Sequence, residues 1–85
     1  MDKIIVTVTD ESNSFSCDLE VPYEQKTGTL KCDIIETLKG YYKGLDADAS
    51  NICLFCRRTG KSLLEDRTFE EEGVRNGDYI YLFMM

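Results

Sequence analysis

Cys53 and Cys56, three residues apart, are the one pair in this chain with metal-ligand spacing. A structural zinc site needs four ligands, usually from two such pairs on turns or from one pair and His. The chain has no His, and Cys17 and Cys32 do not make a second pair at that spacing. Leu54 and Phe55, between the two thiols, read as strand, and residues three apart in a strand point to opposite faces. A redox Cys-x-x-Cys would open a helix after a strand, and this one does not. The expectation is no metal and no cofactor, with Cys17 and Cys56 as small buried hydrophobes.

The carboxylates offer little more. Without His, a cysteine nucleophile lacks its usual base. Glu65 and Asp66 fall on a turn, and Glu70, Glu71 and Glu72 read as a solvated acidic rim. Paired carboxylates do acid–base work when burial pushes their pKa values apart, and an exposed rim does not. No catalytic set emerges, so the chain is expected not to be an enzyme. Arg57, Arg58 and Lys61 form a short basic cluster in a chain of net charge −6, with 16 acidic and 10 basic residues. A nucleic-acid binder needs a basic face to neutralise phosphates, so the cluster reads as a solvated turn and nucleic acid is not an expected partner.

Those residues must be positioned by elements, and the elements are legible. Eighty-five residues make one small domain, 1–85, with 42% hydrophobic and 31% charged residues, too apolar for disorder. No signal-peptide pattern precedes the first apolar run, and no run approaches the roughly 20 apolar residues of a membrane span. The expectation is a cytoplasmic protein with reduced thiols and no direct membrane insertion.

Ile4, Val6 and Val8 alternate with Ile5, Thr7 and Thr9 in a first strand over 3–9. The polar run 10–14 is a turn. Phe15, Cys17, Leu19 and Val21 then alternate with Ser16, Asp18 and Glu20, which completes a hairpin that Pro22 ends. Leu30, Ile34, Leu38 and Tyr41 or Tyr42 recur at helical spacing, with Thr29 the expected N-cap, Lys39 and Lys43 near the C-terminal end and Gly44 the stop. After a polar connection over 45–51, the run 52–57 is a third strand, apolar on both faces. Ser62 to Leu64 is a short fourth strand. Phe69 and Val74 anchor a stretch of turns over 65–77, and Asn76-Gly77-Asp78 turns into a last strand, Tyr79 to Phe83.

The order β-β-α-β-(β)-β resembles the ubiquitin-like β-grasp superfamily. The resemblance rests on the hairpin ending Glu20-Val21-Pro22 and on the run Thr59-Gly60-Lys61-Ser62-Leu63-Leu64-Glu65-Asp66-Arg67-Thr68-Phe69. The latter looks like the family's turn, short strand and "LEDGRTL" segment with one Gly missing. Gly73-Val74-Arg75-Asn76-Gly77-Asp78 before an alternating strand further resembles the small EsaB/YukD proteins of bacterial type VII secretion. The resemblance implies an α+β fold, with a mixed four- to five-stranded sheet and one helix packed across one face. It also implies a non-catalytic, protein-binding accessory or regulator of a bacterial secretion system.

By the same analogy the last strand lies between the first and third. Tyr79, Tyr81 and Phe83 then share the open sheet face with Ile5, Phe55 and Arg57, a composition suited to protein binding. Partners would be secretion-machinery components, or a second copy joined through that face. Conjugated relatives end in Gly-Gly, whereas this sequence reads Leu82-Phe83-Met84-Met85, so the expectation is a domain that binds and is not attached. The rival readings are a ubiquitin-like domain cut from a larger protein, such as a secretion membrane subunit, and a tail-trimmed modifier or sulfur carrier.

Overall fold

A computed structural model describes residues 3–10, 15–42 and 49–84. Of the expected polar turn at 10–14 and the connection at 45–51, residues 11–14 and 45–48 lie outside the described residues, as do Lys43 and Gly44, while Asp10 belongs to the first strand. Alternation builds the hairpin. In β1, Lys3–Asp10, the side chains of Ile4, Val6 and Val8 are buried while Ile5 is exposed. In β2, Ser16–Pro22, the residues alternate in register with β1, Val6 opposite Leu19 and Val8 opposite Cys17. Cys17 is only half-buried, short of the buried position expected for it, because β2 is the edge strand of the sheet among the described residues.

The helix α1, Thr27–Tyr41, buries Leu30, Ile34, Ile35 and Leu38 against the sheet. Of the two tyrosines at its end, Tyr42 turns inward and its ring packs 5.1 Å from that of Phe15, while Tyr41 faces solvent. The helix starts earlier than expected. Lys26 occupies the N-cap and makes no side-chain cap bond, so Thr29 is not the cap. The loop after β4 takes that role. The Arg67 carbonyl accepts the Thr27 amide at 2.8 Å and the Thr27 hydroxyl at 2.9 Å, and the Glu65 carbonyl accepts the Gly28 amide at 3.0 Å. Helix N-termini leave four amides without intrahelical partners, and here backbone carbonyls from a distant loop fill two of them. Gly28 permits this approach, since a Cβ there would lie 3.3 Å from the Glu65 carbonyl oxygen.

A 3-10 turn at Ala49–Asn51 leads into β3, Ile52–Cys56. The fourth strand, β4, is shorter and earlier than expected, Lys61–Ser62. The last, β5, is Tyr79–Met84. The sheet order is β2-β1-β5-β3-β4, with β5 parallel to β1 and antiparallel to β3. Among the described residues five mixed strands carry one α-helix across one face, as the ubiquitin-like β-grasp resemblance implied. Phe69 and Val74, both fully buried, seal the end of the core under the turns after β4.

Candidate protein-interaction face

The face of the sheet away from α1 is built by the outward residues of three adjacent strands. Register sets their neighbours. Phe55 on β3 lies opposite Tyr81 on β5, and Cys53 opposite Phe83. The Phe55 and Phe83 rings meet edge to face at 5.7 Å, and Tyr81 meets Phe83 at 6.2 Å. Phe55, Tyr81 and Phe83 are half-buried because they cover one another. Just past the end of β3, the Arg57 guanidinium lies over the Tyr79 ring, 5.8 Å from its centre, a distance at which cation–π attraction operates. Tyr79 is 47% exposed and Ile5 48% exposed.

The six residues expected on this face are therefore on it. The residue of β1 paired with Tyr79 is Thr7. Ile5 lies two residues before that pair, where the turn before β5 occupies its backbone. The Asn76 side-chain oxygen accepts the Ile5 amide at 2.7 Å, and the Gly77 amide donates to the Ile5 carbonyl at 2.7 Å. Toward β2 the face becomes polar. Thr7 donates to Asp18 at 2.6 Å, and Lys3 pairs with Glu20 at 3.7 Å.

The Asn-Gly-Asp turn that sets the start of β5 is held by chemistry that sequence reading did not find. Gly77 has φ +88°, a conformation that side chains with a Cβ rarely adopt. Asp78 is almost fully buried, and its carboxylate accepts from the Arg58 guanidinium at 2.9 and 3.0 Å and from the Arg75 amide at 2.8 Å. Burial by itself pushes the Asp78 carboxyl up, but the Arg58 and Arg75 bonds together hold it below its ordinary value. Arg58 also donates to the Gly73 carbonyl. Of the basic cluster, then, Arg58 locks the turn, Arg57 belongs to the aromatic face and Lys61 is exposed.

The acidic rim is likewise only partly solvated. Thr68 and Glu71 form a reciprocal capping box, each side chain accepting the other's amide, at 2.9 and 3.0 Å. That amide bond holds the Glu71 carboxyl below its ordinary value. Glu72 pairs with Arg67 at 3.1 Å, and its side chain is only 9% exposed. The Thr-x-x-Glu spacing of 68–71 was the sequence clue to this turn.

Lys31 gave no such clue. Its position on the helix is polar by type yet buried, and its ammonium donates to the Ile52 carbonyl at 3.0 Å and to the Glu65 carboxylate. It forms part of the wall of a concavity of about 750 Å³, together with Ile52, Leu63 and Leu64 at the β3 edge. The Cys pair divides as strand geometry requires, with Cys56 fully buried and Cys53 half-buried. Among the described residues no three His, Cys, Asp or Glu side chains gather as a metal site would need.

The family model for YukD, a protein of the WXG100 protein secretion system (Wss), matches residues 4–82. No curated protein sequence matches the chain. Among solved structures, a ubiquitin-like domain from Arabidopsis thaliana superposes with a TM-score of 0.76 at 25% identity, over 99% of this chain and 79% of that one. Ubiquitin from Caldiarchaeum subterraneum superposes with a TM-score of 0.76 at 18% identity, over 98% of this chain and 94% of that one. The ubiquitin-like domain of Plasmodium falciparum Dsk2 reaches 0.78 at 16% identity, over 98% and 99%. With these last two the likeness is one of fold.

Proposed function

The chain belongs to the YukD family of the WXG100 protein secretion system, and from that premise we propose that it is a single ubiquitin-like domain, without catalytic chemistry of its own, that docks a protein of that system. The docking surface is the open sheet face, and the machinery is a bacterial type VII system reached from the cytoplasm. The observation that carries this reading is the aromatic cluster Phe55, Tyr81 and Phe83 on the same face as Tyr79, with Arg57 seated on Tyr79 and Ile5 exposed alongside. Rigid aromatics and Arg are the residue types that dominate binding hot spots, because they present large area at little entropic cost. Among the described residues no helix is long and apolar enough to cross a membrane.

The test replaces Phe55 and Tyr81 with Ser together. Binding to the purified soluble domains of the cognate secretion machinery is followed by calorimetry, and self-association by sedimentation. Loss of one hot-spot residue costs about 2 kcal/mol, so binding should weaken by roughly 30-fold or more. Circular dichroism establishes that the variant is folded. Unchanged partner binding together with unchanged self-association would end the proposal. If self-association alone were lost, the occupant of the face would be a second copy.

A further inference from the structure

The outer edge of β2 is a second surface, away from the aromatic cluster. It pairs with β1 on one side only. The Thr7 amide donates to the Asp78 carbonyl at 2.9 Å, so the backbone groups of Thr7 face β5 and those of Val6 and Val8 face β2. Through the pairs Val6–Leu19 and Val8–Cys17, the backbones of Leu19 and Cys17 turn toward β1, and those of Asp18 and Glu20 turn outward. The outward window has defined ends. The Tyr42 hydroxyl donates to the Ser16 carbonyl at 3.2 Å, and Pro22 has no N–H to offer. Between them the amides and carbonyls of Asp18 and Glu20 have no backbone partner among the described residues, and the Asp18 carbonyl has only a long contact from the Cys17 thiol at 3.9 Å.

The side chains around this window state what would fill it. On the inner side Leu19 is only half-buried, beside a groove of about 170 Å³ between β2 and α1 that Leu19, Val21, Leu30 and Ile34 line. On the outer side Asp18 accepts from Thr7 and Glu20 pairs loosely with Lys3, yet both carboxylates stay exposed, and on the groove side Asp33 of the helix adds a third. A second copy of β2 docked edge to edge would set carboxylates against carboxylates, which repel when directly opposed. An incoming strand with cations on one face and aliphatic side chains on the other would satisfy the backbone, the groove and the carboxylates together.

We propose that the outer edge of β2 is a strand-addition site for an extended segment of another protein in which Lys or Arg alternates with Val, Ile or Leu. The probe is the blocked heptapeptide Lys-Val-Lys-Val-Lys-Val-Lys, titrated into the isotope-labelled full chain while backbone amide shifts are recorded. The largest shifts should fall on Asp18, Glu20 and their neighbours. The Glu-Val counterpart should not bind. Methylating the amides of one alternate residue set of the peptide should abolish binding, and methylating the other set should spare it. Asp18→Lys with Glu20→Lys should weaken binding at least tenfold in a variant that circular dichroism shows to be folded, although it gives up the Thr7 and Lys3 contacts. The proposal is overturned if the peptide fails to bind at millimolar concentration. It is also overturned if both methylated peptides bind like the parent, which is charge attraction alone, or if the shifts centre on Tyr79 and Tyr81.

Discussion

Replacing Asp78 with Asn tests the reasoning about the closing turn at its tightest point. The side chain keeps its size, but its carboxylate is lost from a site where it accepts from Arg58 at 2.9 and 3.0 Å and from the Arg75 amide at 2.8 Å. An Asn oxygen can keep one of those bonds, and its NH2 then faces a donor. Bonds to a charged acceptor contribute about 1.5–3 kcal/mol. Breaking a fully buried pair costs about 3–5 kcal/mol, because the remaining charge is stranded. Here the Arg58 side chain is 41% exposed and regains water, which places the cost of the Asp78 change near the lower range, about 2 kcal/mol. In a domain of this size each kcal/mol moves the melting temperature by about 4–8 °C, so the variant should melt roughly 8–16 °C lower near neutral pH.

The pH dependence supplies a second, independent check on the same residue. The folded-state pKa of Asp78 is depressed below the unfolded value of about 3.9, so its contribution is complete well above that value and is lost as pH falls through the folded one. Urea unfolding of both proteins should show the full deficit near pH 7 and near pH 5. Below about pH 4 the two stabilities should converge. A deficit under about 0.5 kcal/mol near neutrality would refute the account, since that is the range of a surface change that touches nothing. A deficit of the same size at low pH would refute it as well, by showing that shape and not charge holds the turn.

Two further substitutions probe the frame around this turn. Phe69→Ala empties a fully buried site and should cost about 3–5 kcal/mol, measured by urea unfolding. That rivals the whole stability of a small domain, about 0.05–0.15 kcal/mol per residue, so the variant should be largely unfolded at 37 °C. Gly77→Ala places a Cβ at φ +88° and should cost about 1–2 kcal/mol, with amide exchange rising at Ile5 and Thr7, whose backbone groups bond to Gly77 and Asp78.

Strand alternation carried most of the fold. Ile4, Val6, Val8, Ile80 and Leu82 are inward as their period of two demands, and Phe69 and Val74 proved to be the anchors of the turn-rich stretch. The outward set was legible for the same reason, since Tyr79, Tyr81 and Phe83 must face away from α1 once Ile80 and Leu82 face it. The cap of α1 was not legible. Thr29 has the right type for an N-cap, but the actual partners are carbonyls of Glu65 and Arg67, whose acceptor strength is the same in every residue and leaves no trace in the sequence. The role of Lys31 was not legible for a related reason. A lysine at a helical position reads as solvent-facing, and only the nearby Ile52 carbonyl and Glu65 make its burial tolerable.

By itself the sequence determined which side chains share a face, because local periodicity follows from backbone geometry within one element. It also determined where the chain turns, through Pro22, Gly60 and Gly77. Only the tertiary structure decided which elements touch and at what register. It set Thr7 beside Tyr79, turned the backbone of Asp18 and Glu20 outward, and joined Arg58 to Asp78. Those contacts join residues far apart in the chain, and such pairings arise only when the whole core closes.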